Sequence, residues 1–294
     1  MKELVVISGK GGTGKTSIVA SFAALSKNSV LADCDVDAAD LHLILEPSIQ
    51  QRETFSGGKQ ARIMVENCVA CGKCFEMCRF NAVKRTEKEK RQFAYSIDPI
   101  ACEGCGVCVR VCPHEAIAFE PAINGEWYIS QTRHGSMVHA RLGIAEENSG
   151  KLVAIVRDQA RKLAEKEHGN MVIIDGSPGT GCPVIASITG SDLVLVVTEP
   201  TRSGLHDLKR VIELAKHFSI PAAVCINKWD INPEITQDIE HTMNSNGCKV
   251  IGKVRYDTAV TRAQLMKASI VEYTGGAVAH EIESLWRNVI YELG

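Results

Sequence analysis

The residues with the plainest chemistry are Gly9–Thr16, GKGGTGKT, directly after the apolar run Leu4–Ile7. They fit G-x-x-x-x-G-K-[ST] in full. Gly9, Gly11, Gly12 and Gly14 let the backbone wrap, with Thr13, so that N–H groups point inward at phosphate oxygens. A helix expected from Ser17 to Leu25 presents its positive N-terminal end to the same anion. In this pattern Lys15 neutralises the β- and γ-phosphates and the Thr16 hydroxyl ligates Mg²⁺. A second apolar strand, Val172-Ile173-Ile174, ends in Asp175, a carboxylate placed to hold Mg²⁺ through water. The plainer alternative, a glycine-rich turn with a chance lysine, does not account for strand, loop and helix in this order.

The second constellation is made of sulfur. Cys68-x2-Cys71-x2-Cys74-x3-Cys78 and Cys102-x2-Cys105-x2-Cys108-x3-Cys112-Pro113 are two bacterial-ferredoxin runs. Shifting the sequence by 34 positions superimposes the first run on the second, and Ala82 on Ala116. The fourth cysteine of each run serves the other cluster. The expected sets are therefore Cys68, Cys71, Cys74 with Cys112, and Cys102, Cys105, Cys108 with Cys78. Zinc is the alternative for thiolates, but eight in this paired spacing point to two [4Fe-4S] clusters. Arg79 stands where proline usually follows the fourth cysteine, a departure that removes no ligand.

The elements that position these groups follow from hydrophobic patterning. Apolar runs at 4–7, 30–32, 171–174, 193–198 and 222–226 are hydrophobic on both faces and alternate with helical stretches at 151–168 and 205–218. Such runs indicate a mostly parallel sheet with helices on both faces, an α/β fold. Residues 277–293 place Val278, Ile282, Leu285, Val289 and Leu293 on one helical face, read as packing on the core. The cysteine-rich stretch differs in kind, with short apolar runs and a charged segment at 84–92. It reads as an inserted α+β ferredoxin-like domain over residues 61–120, dividing an ATPase domain into 1–60 and 121–294.

With 294 residues, 45% hydrophobic and 23% charged, the composition is that of a globular protein. A net charge of −2 lacks the basic excess of a nucleic-acid binder. No apolar run approaches the ~20 residues that span a bilayer. No signal-peptide layout opens the chain, so a cytoplasmic location is expected. Twelve cysteines in such a compartment call for a metal rather than disulfides.

Together these residues resemble MinD/ParA-superfamily P-loop ATPases with an inserted bacterial-type 2[4Fe-4S] ferredoxin domain, relatives of the Mrp-type cluster carriers and the nitrogenase iron protein. The form KGGxGKT carries the extra Lys10 typical of that class. The resemblance implies a homodimer in which Lys10 reaches the partner's nucleotide. It also implies that Asp35, in Asp33-Cys34-Asp35, activates the attacking water, and that Gly176–Gly181 is a mobile loop reading the γ-phosphate. Asn227 is expected to contact adenine, although Asn227-Lys228-Trp229-Asp230 also fits the guanine-reading N-K-x-D. The class implies ATP-dependent assembly or transfer of iron–sulfur or molybdenum–iron–sulfur clusters to an acceptor protein. The alternative is ATP-gated electron transfer to a redox partner.

Four cysteines lie outside the two runs. Cys225 falls in an apolar strand and reads as a small buried hydrophobe, Cys34 lies between the two aspartates, and Cys248 carries no pattern. Cys182 follows Asp175 by seven residues, the spacing at which the nitrogenase iron protein carries a cluster ligand. By that resemblance Cys182 would bind a third metal–sulfur cluster bridging two subunits. The segment Glu147–Lys151 belongs to the same likeness but offers no second cysteine. A Cys182→Ala protein should keep two ferredoxin-type clusters and lose any additional iron. Unchanged iron content under dimer-forming conditions would remove this idea.

Overall fold

The computed structural model describes residues 1–88, 92–143 and 149–294; Glu147, Asn148 and part of the charged 84–92 segment lie outside the described residues. The chain forms two compact units. One comprises Met1–Glu53, Trp127–Arg141 and Ser149–Gly294, the other Thr54–Glu126 with Leu142–Asn148.

In chain order the first unit opens with β1 (Lys2–Ser8), α1 (Lys15–Leu25), β2 (Ser29–Asp33), α2 (Leu41–Leu45) and β3 (Ser48–Phe55). The second unit follows with β4 (Gly58–Ile63), α3 (Lys73–Glu76), β5 (Val83–Lys88), β6 (Gln92–Ile97), α4 (Val107–Val111) and β7 (Ile117–Ala122). The chain then forms β8 (Gly125–Thr132), β9 (Gly135–Leu142), α5 (Ser149–Lys166), β10 (Met171–Pro178), α6 (Cys182–Ile188), β11 (Leu193–Thr198) and α7 (Arg202–His217). It ends with β12 (Ala222–Asn227), α8 (Pro233–Ser245), β13 (Lys249–Val254), α9 (Ala259–Leu265), α10 (Ile270–Tyr273) and α11 (Ala277–Leu293).

The main sheet has the order β13-β12-β11-β1-β10-β2-β9-β8-β3. Its stretch from β13 to β9 is parallel throughout. Leu4 and Val6 pack with α1 and α11 in one apolar cluster, while Val5 and Ile7 are equally buried on the opposite face. Two covered faces explain why the strands read as unbroken apolar runs rather than alternating ones. The five expected positions of α11, from Val278 to Leu293, are all buried. No described helix is long and apolar enough to cross a membrane.

Several elements escaped the patterning. β3 reads SIQQRETF and exposes every residue but Phe55, so its polarity looked like a boundary rather than an edge strand. β8 and β9, joined through Arg133-His134, extend the same edge. Helix α7 begins three residues before the expected start because Thr201 caps it, its hydroxyl accepting the Gly204 N–H at 2.9 Å. Such a cap contributes about 1 kcal/mol.

The second unit starts at Thr54 and ends at Glu126, outside the 61–120 read from the sequence. Its neck explains the difference. β4 and β7 pair antiparallel from Gly58↔Ala122 to Ile63↔Ile117. Beyond them, the Asn124 N–H donates to the Phe55 carbonyl at 2.9 Å and its side-chain oxygen accepts the Gly57 N–H at 2.7 Å. The described ends of the charged 84–92 segment form the β5–β6 hairpin, with Val83 opposite Ile97.

At the N-terminal end of β1, buried Glu3 is held by Arg157 and, at 2.6 Å, by Arg161. Arg157 also donates to the carbonyls of Ala186 and Thr189, both at 2.8 Å, fixing the C-terminal end of α6. Burial opposes ionisation of Glu3, but the two guanidinium groups outweigh it and hold the pKa below the ordinary 4.5. Its stabilisation is therefore complete above that ordinary value and is lost as pH falls through the depressed one. Glu3→Gln should cost about 3–5 kcal/mol near neutral pH, because it leaves buried arginine charge uncompensated. Urea unfolding of wild type and variant should show that gap narrowing in acid; an unchanged gap would contradict this role for the carboxylate.

Candidate functional site

The functional residues of the first unit collect at the C-terminal ends of β1, β2, β10 and β12. β1 lies between β10 and β11, so the connections leaving it and returning beside it run to opposite sides. A crevice forms where strand order reverses in this way. Gly12 and Gly14 have positive φ, at 79° and 86°, in the left-handed region that only glycine adopts freely. A Cβ on Gly14 would stand 2.3 Å from Asn227 Nδ2, so the glycine also admits a close neighbour.

Lys15 is buried and its ammonium contacts Asp175, with Asp35 at 3.3 Å. The register places Asp175 opposite Asp33, bringing a third carboxylate to the same spot. Burial pulls the Lys15 pKa down, but the charges of Asp175 and Asp35 more than reverse this and raise it. Burial and then Asp175 push Asp33 well above the carboxylate range, against the pull of Lys15. Asp35 is raised by burial and Asp175, again opposed by Lys15.

Three carboxylates facing one ammonium leave an excess of negative charge. One oxygen each of Asp175 and Asp33 has no hydrogen-bond partner among the described residues, nor has the buried Thr13 hydroxyl. These groups fit a divalent cation arriving with phosphates. Mg²⁺ typically takes one or two carboxylates plus phosphate oxygens rather than an all-protein cage. Thr16 and Ser17 follow Lys15 in the first turn of α1, both half-buried.

Lys10 turns to its own chain, with Nζ 2.7 Å from Glu199 and 3.2 Å from the Ser203 hydroxyl. Lys228 grips the other Glu199 oxygen at 3.2 Å and donates to the Gly12 carbonyl at 3.2 Å. Burial raises the Glu199 pKa, but hydrogen bonds from both lysines bring it below its ordinary value. Glu199 was missed in the sequence, although it marks the end of an apolar strand just as Asp175 does.

A cavity of about 220 Å³ opens beside the loop, lined by Gly12, Gly14, Asn227, Val254, Tyr256 and Ile270 among others. Asn227 Nδ2 donates to the Thr13 carbonyl at 2.7 Å. Asp230 is not among the lining residues; its carboxylate accepts the Tyr256 N–H at 2.7 Å.

Of the remaining cysteines, Cys34, Cys225 and Cys248 are buried, and burial pushes the thiols of Cys34 and Cys225 far up. Cys182 is exposed at the start of α6, packed on Gly150, and joins no group of three potential ligands among the described residues.

In the second unit the eight run cysteines separate into two fours. Cys68, Cys71, Cys74 and Cys112 line one cavity; Cys78, Cys102, Cys105 and Cys108 line the other. Four cysteines at each cavity match the ligand number of a [4Fe-4S] cluster. Gly104 has φ 60°, and a Cβ there would meet the Lys59 carbonyl at 2.1 Å, so only glycine lets the cysteine loop approach β4. Cys112 Sγ accepts the Ala116 N–H at 3.3 Å. Burial raises the Cys78 thiol, but backbone N–H groups from Val83, Phe80, Ala82 and Asn81 outweigh it and lower the pKa, favouring thiolate.

A glycine loop and buried lysine at a strand-order reversal, with aspartates on the neighbouring strands, define a P-loop nucleotide-binding protein. Residues 4–270 match CbiA, the CobQ/CobB/MinD/ParA nucleotide binding domain. The chain belongs to this family, whose MinD/ParA members are P-loop ATPases. It is 35% identical over 240 residues to an uncharacterized protein of Methanocaldococcus jannaschii, covering 78% of this chain and 79% of that one. Over 77 residues it is 34% identical to a ferredoxin 7Fe of Hydrogenibacillus schlegelii, covering 25% of this chain and 92% of the ferredoxin. The fold is similar to the septum site-determining protein MinD of Pyrococcus horikoshii, solved in complex with Mg-ADP. The TM-score is 0.58 at 15% identity, over 98% of this chain and 95% of that one.

Gly14→Ala should weaken binding of a fluorescent ATP analogue by about tenfold or more. Strain of about 1–3 kcal/mol at a left-handed position is compounded by the clash with Asn227. Wild-type affinity with unchanged circular dichroism would refute the close fit.

Proposed function

We propose that this protein is an ATP- and Mg²⁺-dependent ATPase, acting as a homodimer, whose inserted unit holds two [4Fe-4S] clusters and delivers electrons to a protein acceptor. The observation that carries the reading is the division of eight cysteines into two cross-paired fours, each around its own cavity. The clusters, when bound, supply one-electron chemistry. Cys68, Cys71, Cys74 and Cys112 would hold one, and Cys102, Cys105, Cys108 and Cys78 the other. The 34% identity with a 7Fe ferredoxin supports iron–sulfur binding by this unit, while the count of eight irons rests on the eight cysteines.

In the ATPase unit the backbone of Gly9–Gly14 and the Lys15 ammonium bind the phosphates, while Thr16 and Asp175 hold Mg²⁺. Asp35, whose pKa is raised, orients and takes a proton from the attacking water. Lys15 now sits among carboxylates, and bound phosphate would draw it away, freeing Asp35 for that task. Lys10 would have to leave Glu199 to reach a partner subunit's nucleotide. Adenine is the base in this reading, supported by Asn227, which lines the cavity while Asp230 does not.

A second reading, assembly or transfer of a metal–sulfur cluster, is favoured by Cys182. It is the exposed cysteine of the first unit and directly follows the Gly176–Gly181 loop.

Anaerobically purified protein should contain about eight iron and eight sulfide per chain. It should prefer ATP to GTP in competition, and Asp35→Asn should retain ATP binding while losing hydrolysis. Fewer than two clusters would refute the cysteine assignment. Labile iron or molybdenum beyond that content, lost in Cys182→Ala, would shift the reading to a carrier.

A further inference from the structure

The two cysteine cavities are related by the internal repeat, so their linings can be compared position by position. Most pairs match: Gly72 with Gly106, Ala116 with Ala82, Ile117 with Val83, and Ile63 with Ile97. Three pairs do not. Val69 lines the Cys112 cavity where Glu103 lines the Cys78 cavity. Lys73 lines the first where Val107 lines the second, and His114 lines the first where Phe80 lines the second. Each difference makes the Cys112 cavity more positive or richer in hydrogen-bond donors. A fourth adds to it: Tyr95 lines the Cys112 cavity, and its repeat equivalent, Ala61, lines the other. The Tyr95 hydroxyl lies so close to Gly72 that a Cβ there would stand 2.9 Å from it, between Cys71 and Cys74.

Reduction adds one negative charge to a cluster, and charges at its rim act on that change directly. Lys73 lies in the ligand loop between Cys71 and Cys74 and favours an added electron there, whereas Glu103 lies between Cys102 and Cys105 and opposes one. The counter-example is Arg79, beside Cys78, whose guanidinium stacks on the Phe80 ring at 4.7 Å. Phe80 lines the cavity and Arg79 does not; Lys59, with Nζ 5.3 Å from the Phe119 ring that faces Gly106, is a second positive charge on this side.

Resting on the two-cluster reading, we propose that Lys73 and Glu103 make the insert electrically one-directional, so that an electron settles on the Cys68–Cys112 side in preference to the Cys102–Cys78 side. The electron comes from a one-electron reductant of low potential; no bond is made or broken, and one site is oxidised as the other is reduced. The Cys68–Cys112 side is then where a protein acceptor draws its electron.

Lys73 and Glu103 are exposed and are not ligands, which makes them suitable for substitution in the full-length protein. A dithionite titration followed by electron paramagnetic resonance should resolve two one-electron steps in the wild type. Lys73→Val should lower the higher step and Glu103→Val should raise the lower one. The double variant should close the gap by about tenfold in the equilibrium ratio, about 59 mV for a one-electron couple. Coincident wild-type steps, or single variants that leave the separation unchanged or widen it, would overturn the proposal. Iron and sulfide are counted on every sample; a wild type short of about eight of each refutes the cluster reading itself.

Discussion

A single ammonium buried among three carboxylates sets the terms for the ATPase unit. Lys15, Asp33 and Asp175 are brought together by parallel register, with Asp175 opposite Asp33 and β1 beside β10. The strands bearing them are apolar on both faces, so helices cover both sides and the ends of the strands become the place where charge can face solvent. Removing Lys15 would leave the buried carboxylates uncompensated, which is strongly destabilising. The lysine therefore holds the carboxylates together, and their excess negative charge waits for a cation. The arrangement opens only for something that supplies equivalent charge, as phosphate and a divalent cation would.

The same logic extends outward. Glu199 holds two lysines that border the phosphate loop, and Asp230 accepts the Tyr256 N–H. Lys10, Lys15 and Lys228, the lysines around the phosphate loop, each contact a carboxylate of the same chain, so nucleotide binding must exchange ion pairs rather than meet free cations. Such an exchange would supply the second arrangement that nucleotide-dependent switching requires.

The inserted unit is built on a different principle. Its buried apolar cluster comprises Ala61, Ile63, Cys74, Val83 and Ile117, small for an independent core. Segments of this size are usually stapled by metal or disulfide. Six of the eight run cysteines belong to that cluster or pack against it, so any metal they bind would also help to hold the fold. Near-identical linings from the repeat then leave a few rim positions free to differ, and those carry the charge asymmetry.

The sequence alone determined the phosphate loop, the Walker-type aspartate, the division of cysteines into cross-paired sets and the parallel core. These depend on short spacings and on two-sided burial, which leave direct marks in residue type. The edge strands β3, β8 and β9, the cap at Thr201 and the neck of the insert were decided by tertiary structure. Their residues are polar enough to read as loop, and their pairing partners lie far away in sequence. Tertiary structure also decided that Lys10 folds onto Glu199, that Asp230 is spent on Tyr256, and that Lys73 and Glu103 line different cavities. A side chain's charge is written in the sequence, but the neighbour that neutralises it is chosen only when distant strand ends meet.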